Sequence, residues 1–339
     1  MFPVFDHFFF IVREKKIWLY IISRIKKITV VVKMFYPPYK IYRKKYRQSY
    51  IYLLDGKRIK DSSLLQRLRS SYVPPAYEHV AYHEDPAAEC YAVAIDAKGK
   101  RQYFYTQTWR QKSNDAKFQT MKCFAKKMNS IRHALRRLIM SCTLQDRLIA
   151  LVLLLIMEGN FRIGSPNGVR DYGSYGVITL RKEHIHVKDK NTIDIAFRGK
   201  KGVLNQSRIR SKPTVRILRH VLETNENPSL FSYQNGEVKI KISAEDVNAF
   251  LKKFGNFSTK TLRTWFVNID FIKQMKRLNA LDLPWKKKQT KAIAMTAKRF
   301  HHTPTVCQNS YILPTLITAL PNQSLEKSPT IIFSNFLNQ

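Results

Sequence analysis

The feature that most constrains the fold is a strongly apolar segment, LIALVLLLIM, at residues 148–157. Thr143, with Asp146 three residues later, resembles a helix N-terminal capping box, and Gly159 stands where the helix would end. A helix that is apolar on every side has no face that water can cover, so other elements must surround it. The sequence therefore predicts a buried central helix, with the residues after Gly159 held at a fixed helix end.

Upstream of that helix the chain has the pattern of short β-strands separated by turns. Residues 51–54 run into Asp55-Gly56, which is a hairpin signal, and apolar and aromatic runs at 91–95 and 102–105 flank a basic turn. This region is predicted to form a small, mostly β domain.

Beyond the β region the pattern becomes helical. Residues 116–139 have apolar positions spaced by three and four among many lysines and arginines, as in an amphipathic helix or a helix pair. A β-hairpin is predicted across 177–197, because Ile193, Ile195 and Phe197 alternate with Asp194, Ala196 and Arg198. Further helices are expected at 215–223, at 244–254 and from residue 260 onward.

The net charge points to a polyanionic partner. Sixty Lys and Arg residues against 24 Asp and Glu residues give a formal charge of +36, far more than solubility requires. Nucleic acid is the first expectation, because basic side chains gain affinity by releasing the counterions condensed on phosphates. A lysine-rich composition inherited from an AT-rich genome and an anionic membrane surface are the alternatives.

These patterns predict an α+β chain with a small, mostly-β N-terminal domain and a larger, mainly α-helical domain. We expect a basic, aromatic extension at residues 1–46, the β domain at 47–113, the helical domain at 114–320 and a polar, frayed tail at 321–339. The extension ends in YRKKYR and fits either a flexible segment or an arm that follows DNA.

Cysteine spacing and the N-terminal pattern bound the cellular setting. The four cysteines show no CxxC or CxxH spacing, which argues against a zinc site and a disulfide framework and fits an intracellular, reducing compartment. Basic residues interrupt the apolar runs near the N-terminus, so none reaches the ~20 residues of a membrane-spanning helix. No signal-peptide pattern is present, and Met34 is a second candidate for the start of the chain.

Five polar side chains form a candidate site. The stretch HHTPTVCQNSY at 301–311 places Tyr311 nine residues after His302, with a Thr-Pro break between them. Arg162 follows the predicted central helix, Lys200 lies in a GKKG turn and Arg263 lies in the sequence KTLRTW. Taken singly, each has an ordinary explanation: a helix cap, a solvated turn lysine, a surface arginine, a core histidine or one of 17 tyrosines.

Together these residues suit attack on a phosphodiester. Tyrosine is a weak nucleophile at its ordinary pKa of about 10, but clustered cations favour the phenolate. Two arginines and a histidine can bind the negative charge that grows on the nonbridging oxygens, so no metal is expected. Lys200 could protonate the departing sugar oxygen if its cationic neighbours lower its pKa.

Five motifs in this order resemble those of the small type IB DNA topoisomerases of poxviruses, giant viruses and bacteria. The β domain matches as well, through PPAY at 74–77 and DAKGKRQYFY at 96–105, so the resemblance covers residues 48–320. The five motifs are FRIG at 161–164, YGVITL with HI at 175–185, FRGKKG at 197–202, KTLRTW at 260–265 and HTP with the tyrosine at 302–311.

The resemblance implies a clamp around duplex DNA and a role for each residue of the site. Tyr311 would form a 3′-phosphotyrosyl link, Arg162 and Arg263 would stabilise the pentacoordinate phosphorane, His302 would donate to a nonbridging oxygen and Lys200 would be the general acid. The enzyme would relax supercoils by strand rotation without ATP, metal or any other cofactor.

The resemblance also implies DNA contacts and leaves two positions open. Secondary DNA or active-site contacts would come from Lys260 and Asn268 in the helical domain, and groove or backbone contacts from Arg101, Tyr103 and Tyr105 in the β domain. His301 stands where the family usually has glycine, and Lys201 adjoins Lys200, so either could share its neighbour's role.

The expected partner is double-stranded DNA, met by a monomer that does not bind membranes. The expected location is intracellular and, for a viral protein, the virion or the replication site. A tyrosine recombinase or integrase has nearly the same catalytic groups, but it usually carries a histidine where this chain has Lys260 and a helical N-terminal domain. A noncatalytic basic protein that coats nucleic acid is the second alternative, and it would form no covalent adduct.

Overall fold

The computed structural model describes residues 39–322 and 324–338. The chain divides into two compact units with a boundary between Ser113 and Asn114. Expectations for the first 38 residues, including the alternative start at Met34, lie outside the described residues. Within the described residues no helix is long and apolar enough to cross a membrane.

The N-terminal unit is built on a six-stranded antiparallel sheet with the strand order β3-β2-β1-β4-β5-β6. The predicted hairpin turns lie at Asp55-Gly56, between β2 and β3, and at residues 96–100, between β5 and β6. The elements are β1 (Tyr39–Tyr46), β2 (Ser49–Leu54), β3 (Lys57–Arg58), α1 (Ser62–Ser70), β4 (Glu78–His83), β5 (Cys90–Ile95) and β6 (Arg101–Tyr105).

Strand β1 corrects the expected boundary of the N-terminal extension. Residues 39–46 were assigned to the extension, yet they form a central strand between β2 and β4, with Ile41 buried. Arg43, which we placed in a flexible or DNA-following arm, donates to the carbonyls of Val73, Pro74 and Tyr77. The basic composition of this stretch concealed the single buried apolar residue that fixes it in the sheet.

The C-terminal unit is mainly helical, with two small antiparallel sheets. Its helices are α2 (Gln107–Ile139, which begins in the preceding unit), α3 (Leu144–Glu158), α4 (Pro166–Tyr172), α5 (Lys212–Thr224), α6 (Ala244–Lys252), α7 (Thr259–Asn279), α8 (Trp285–Arg299), α9 (Pro314–Ala319) and α10 (Pro329–Asn338). Its strands are β7 (Ile185–Asp189), β8 (Thr192–Arg198) and β9 (Leu204–Ile209) in one sheet and β10 (Ser232–Asn235) and β11 (Val238–Lys241) in the other.

Helix α3 is the predicted central helix. The Thr143 side chain accepts from the Asp146 N–H, and every residue from Leu148 to Ile156 is buried. Full burial of a large aliphatic side chain contributes about 1.5–3 kcal/mol, so this run is a main source of stability for the unit. The helix also fixes the backbone that leaves it at Gly159.

Two expectations for the C-terminal unit are wrong. The hairpin does not begin at residue 177, because 177–184 form two short 3₁₀ turns and pairing starts at Ile185. The tail at 321–339 is not frayed, since α10 buries Ile332, Phe333, Phe336 and Leu337. Phe333 packs on Trp265 of α7 with ring centroids 5.0 Å apart. The apolar residues of α10 recur every three to four positions and supplied the missed signal.

Candidate active site

The backbone that leaves α3 forms the floor of the site. Gly159 closes the helix, and Asn160 then takes a left-handed conformation with φ of 56°. The Asn160 carbonyl accepts from the Arg263 guanidinium, and the Gly159 carbonyl lies 3.3 Å from His301 Nε2. Two consecutive carbonyls therefore tie the end of α3 to α7 and to the segment after α8.

Arg162 is held through both its backbone and its side chain. Its carbonyl accepts from the Val177 N–H at 2.9 Å, and its Nη1 donates to the His301 carbonyl at 3.1 Å. The backbone pairing requires glycine, because a Cβ on Gly176 would lie 2.4 Å from Gly164 Cα, and Gly164 itself has φ of 85°. The glycines of the FRIG and YGVITL motifs thus fix the position of Arg162.

Arg263 is a buried cation on α7, with 3% of its surface exposed. Its Nη1 donates to the Asn160 carbonyl and its Nη2 to the Phe300 carbonyl. Its guanidinium carbon lies 5.2 Å from the centroid of the Phe300 ring and 5.5 Å from that of Tyr311. Burial lowers the pKa of Arg263 to about 10, so the side chain stays charged at neutral pH.

Tyr311 ends a π turn over Cys307–Tyr311, in which the Ile312 N–H donates to the Cys307 carbonyl at 3.0 Å. The preceding Thr-Pro break is a helix start, as Thr303 Oγ1 accepts from the Val306 N–H at 3.3 Å. Single π turns occur often at functional sites because they re-aim one side chain. Here the turn directs the Tyr311 ring toward the two arginines.

Asn268 holds the backbone on both sides of Ile312. Its Nδ2 donates to the Tyr311 carbonyl at 3.1 Å and to the Thr264 carbonyl at 2.8 Å, and its Oδ1 accepts from the Leu313 N–H at 3.0 Å. The residue is fully buried. This arrangement corrects the expectation of a DNA contact, since the polar atoms of Asn268 are already used to position Tyr311.

The two adjacent histidines have different surroundings. The His302 ring is stacked on the Tyr311 ring, with centroids 5.0 Å apart and planes 6° from parallel. His301 has φ of 53°, stacks on Phe161 and points its Nε2 at the Gly159 carbonyl. His302 therefore lies beside the tyrosine, whereas the His301 ring contacts the α3 end and its carbonyl anchors Arg162.

The charges of the site act on the pKa of Tyr311. Burial of the phenol raises that pKa, but the positive charges of Arg263 and Arg162 outweigh burial and leave the pKa below its usual value. Neither guanidinium forms an ion pair with a carboxylate within residues 39–322 and 324–338. The nearby positive charge is thus available to stabilise a phenolate.

The same charges keep His302 neutral. Burial, followed by Arg263 and Arg162, lowers the pKa of His302 to about 3. The Nδ1 atom lies 3.4 Å from the Thr303 carbonyl, and the buried Nε2 has no hydrogen-bond partner within the described part of the chain. An unpartnered ring nitrogen beside Tyr311 is a site where a substrate oxygen could bind.

Lys200 is not gathered with the other four residues. It lies exposed in the β8–β9 turn, which is closed by the Gly199 N–H donating to the Val203 carbonyl at 2.8 Å. The turn is linked to the site, however, because Phe197 at the end of β8 packs on Phe161 with ring centroids 4.9 Å apart. The neighbouring Lys201 is also exposed and has φ of 64°.

Comparison with known proteins places this site in a family. Residues 106–323 match the model of the eukaryotic DNA topoisomerase I catalytic core. The chain belongs to the type IB DNA topoisomerases. It is 27% identical over 287 residues to DNA topoisomerase 1B of Acanthamoeba polyphaga mimivirus, with 80% of this chain and 85% of the relative covered.

Two further comparisons are with a second viral relative and with a solved recombinase structure. Vaccinia virus DNA topoisomerase 1B is 25% identical over 316 residues, covering 85% of this chain and 95% of the relative. A solved structure of the XerH site-specific recombinase bound to a palindromic difH substrate aligns with a TM-score of 0.37 and 11% identity. That alignment covers 69% of this chain and 62% of the recombinase, and a score this low carries no inference.

The predicted DNA contacts of this topoisomerase lie on its surface, apart from Asn268. Lys260 is exposed near the start of α7, and burial, followed by the charge of Lys260, lowers the pKa of Lys117. In the β unit Arg101 and Tyr103 are exposed, while the Tyr105 ring is stacked on Trp109 at 3.9 Å. No cluster of three or more His, Cys, Asp or Glu side chains that could hold a metal occurs in the described residues.

Sequence reasoning missed the main-chain groups that organise the site. The carbonyls of Asn160 and Phe300 hold Arg263, and the Gly159 carbonyl contacts His301. A Gly-Asn pair at a predicted helix end signals a left-handed turn, and this signal was present in the sequence. The acceptor role of those carbonyls was not, because it depends on contacts between residues 37 to 142 positions apart.

Proposed function

We propose that this topoisomerase relaxes supercoiled duplex DNA by cutting and rejoining one strand through Tyr311. The observation that carries the proposal is the cluster of Arg162, Arg263, His302 and Tyr311, in which two unpaired cations lower the pKa of the tyrosine. The family match supports the same activity.

The first step is attack of the Tyr311 phenolate on the phosphorus. A bond forms between Tyr311 Oη and phosphorus, and the bond from phosphorus to the 5′-oxygen breaks, which leaves a 3′-phosphotyrosyl link and a 5′-hydroxyl. The lowered pKa of Tyr311 makes the phenolate accessible at lower pH than for an ordinary tyrosine. The reverse attack by the 5′-hydroxyl reseals the strand, so ATP is not required.

Arg162 and Arg263 bind the charge that develops on the phosphorus. Each is fixed by main-chain carbonyls and uses no carboxylate of the described chain as a counterion. Preorganised donors of this kind contribute about 10²–10³ in rate for each group. The arginines thus supply both the activation of Tyr311 and the stabilisation of the phosphorane.

His302 is proposed to donate to a nonbridging oxygen through Nε2, the ring nitrogen that lacks a partner in the described structure. Burial, followed by the charges of Arg263 and Arg162, keeps the imidazole neutral. A neutral imidazole still carries one N–H, so the tautomer with its proton on Nε2 can donate to that oxygen.

Lys200 is proposed as the general acid for the 5′-oxygen. The packing of Phe197 on Phe161 keeps the β8–β9 turn near the chain segment of Arg162, and the lysine side chain has no hydrogen bond or ion pair that must be broken in the described structure. Contact between the β8–β9 turn and the bound DNA would bring the Lys200 amino group into the site.

The proposed partner is double-stranded DNA bound by a monomer, with no role for a membrane. Lys260 and its neighbour Lys117 supply positive charge at the start of α7, which suits a DNA phosphate. In the β unit we assign Arg101, Tyr103 and Tyr105 to the DNA surface. The named relatives are viral, which supports a virion or viral replication site inside the host cell.

Plasmid relaxation tests the proposed function. In EDTA and without ATP, the wild-type chain should relax supercoiled plasmid of either sign, and Tyr311→Phe should be inactive while binding DNA normally. A denaturing gel should show a protein-linked 3′ end for the wild type alone. Equal activity in the Phe variant, or an inactive wild type, would refute the mechanism, and dominant strand transfer between unlinked duplexes would indicate a recombinase.

A further inference from the structure

The hairpin formed by β1 and β2 extends past the rest of its sheet. β1 pairs with β2 as far as Tyr46 opposite Ser49, but it pairs with β4 only as far as Tyr42 opposite Ala81. On the other side, β3 pairs only with the last two residues of β2. The end of the hairpin is therefore a two-stranded ribbon without sheet neighbours.

The charge of this ribbon is of one sign. We define the hairpin tip as residues 44–49, KKYRQS, which lies in a run of 16 residues from Tyr39 to Leu54 without Asp or Glu. Lys44, Lys45 and Arg47 are exposed in the tip. The side chains of the two lysines have no ion pair or hydrogen bond within the described chain, and the Arg47 guanidinium lies over the exposed Tyr46 ring at 5.5 Å.

The base of the ribbon is anchored. Arg43 donates to the carbonyls of Val73 at 2.5 Å, Pro74 at 3.1 Å and Tyr77 at 3.2 Å, and its guanidinium lies 4.3 Å from the centroid of the Tyr50 ring. These contacts hold the two strands against the loop before β4. A preorganised ribbon loses less conformational entropy on binding than a flexible basic arm would.

We infer that the hairpin tip is a contact surface for the phosphate backbone of duplex DNA, made by Lys44, Lys45 and Arg47. The inference deepens the proposed function, on which it rests for the choice of DNA as the polyanion. The three basic residues of the tip precede the part of the chain that resembles the family, which begins at about residue 48. Lysines can also serve only to protect exposed strand edges from aggregation, and the test below separates the two roles.

The test measures the salt dependence of DNA binding. The Tyr311→Phe chain is used so that cleavage does not interfere, and a fluorescent duplex of fixed sequence is titrated at several salt concentrations. The slope of log K against log salt is negative, and each phosphate contact adds about 0.9 to its magnitude. The triple substitution Lys44→Gln, Lys45→Gln, Arg47→Gln should reduce this magnitude by about 2.7, whereas Lys44→Arg with Lys45→Arg should leave it unchanged.

A matched control removes three exposed cations from a surface of mixed charge. Lys188, Lys190 and Arg210 are exposed near Asp194, whose pKa is lowered first by the hydrogen bond from Arg208 and also by the charges of Lys188 and Arg210. Replacement of the three exposed cations by Gln should change the slope by less than one. A hairpin variant with an unchanged slope, or a control with an equal fall, would overturn the inference.

Two further readouts separate the inference from its alternatives. Plasmid relaxation by the chain that keeps Tyr311 tests the proposed function independently, so an inactive enzyme with a hairpin-dependent slope would refute the function and leave the DNA surface standing. If the triple variant aggregates but binds DNA with the wild-type slope, the lysines protect the strand edges. If it loses binding only to vesicles of anionic lipid, the surface binds membranes. Either result would overturn the inference.

Discussion

Arg263 shows how single residues give the site its electrostatic character. The cation is buried, yet its partners are the carbonyls of Asn160 and Phe300, which carry no net charge. A carboxylate partner would cancel the field that acts on Tyr311, whereas carbonyl partners satisfy the N–H groups and leave the field in place. The guanidinium can therefore stabilise the phenolate and the phosphorane alike.

This role predicts different outcomes for two substitutions of Arg263. Arg263→Gln removes the charge, so the pKa of Tyr311 should rise and the pH profile of single-turnover cleavage should move to higher pH. Arg263→Lys keeps a positive charge but loses the forked pair of N–H donors. Cleavage should therefore slow by about 100-fold, while the pH profile stays at the wild-type position. Profiles that shift equally in both variants would contradict the assignment, and thermal melts should verify that both chains fold.

Lys200 allows a test of the leaving-group step. Lys200→Ala should slow cleavage of ordinary DNA by about 10²–10⁴, because the 5′-oxygen then leaves without a proton. A 5′-phosphorothiolate leaves without protonation, so cleavage of that substrate should be restored. Lys201→Ala is the matched control, since it also removes one exposed lysine from the same turn. Failure of the sulfur substrate to restore cleavage would remove the acid role from Lys200.

At the residue level the sequence predicted the groups but not all of their positions. Arg162, Arg263, His302 and Tyr311 come together, as the ordered motifs predicted. The catalytic roles of these four residues and of Lys200 stay predictions. The hydrogen bonds of Asn268 to the Tyr311 segment could not be predicted, because these partners are 43 and 45 residues away and contacts at that separation leave no periodic pattern.

Among the elements, α7 does most to assemble the site. It presents Arg263 toward α3 and, about one turn later, Asn268 toward the backbone of the Tyr311 segment. Farther along, Asp270 pairs with Arg299 of α8 at 2.9 Å. One rigid helix therefore sets the distances between the arginine, the tyrosine and the histidine segment after α8.

Removal of the Asn268 side chain should affect both stability and catalysis. Asn268→Ala leaves the Tyr311 carbonyl and the Leu313 N–H buried without partners, at a cost of about 1–3 kcal/mol each. Cleavage by the folded variant should also slow, because Tyr311 loses its anchor. Asn248→Ala is the control: Asn248 accepts from the Thr259 N–H at the start of α7, so its loss should lower the melting temperature without slowing cleavage. Equal cleavage rates in the two variants would contradict the positioning role.

The elements also show where pattern reasoning succeeds. Helix α3 was predicted from its cap and apolar run, and the β2–β3 turn from Asp-Gly, because these signals are local. Strand β1 was missed since only Ile41 is buried in a run of basic and aromatic residues. The 3₁₀ turns at 177–184 were predicted as a strand because Val177 to Leu180 is a run of apolar and β-branched residues, but Val177 and Ile178 are both buried, without the alternation of a half-buried strand.

At the scale of the whole molecule, the C-terminal helix completes the core of the unit that holds the site. Helix α10 packs Phe333 on Trp265 of α7 and Phe336 on Phe118 of α2. Trp265 lies two residues after Arg263, so α10 supports the helix that carries Arg263. The polar linker at 321–328 hid this helix from the sequence prediction.

Substitutions in α10 should reveal this support. Phe333→Ala should lower the free energy of unfolding by about 3–5 kcal/mol, since the side chain is fully buried. Ile331→Ala in the same helix should change it by less than about 0.5 kcal/mol, because Ile331 is 49% exposed. Urea denaturation of both variants gives the comparison, and similar small losses would mean that α10 does not complete the core.

The π turn at Cys307–Tyr311 has a consequence for changes in chain length. An α-helical turn over the same stretch would close one residue sooner, and each residue of a helix rotates the next side chain by about 100°. Deletion of Ser310 would keep every catalytic group in the sequence yet point the phenol away from Arg263. The segment between His302 and Tyr311 should therefore accept changes of residue type far more readily than insertions or deletions.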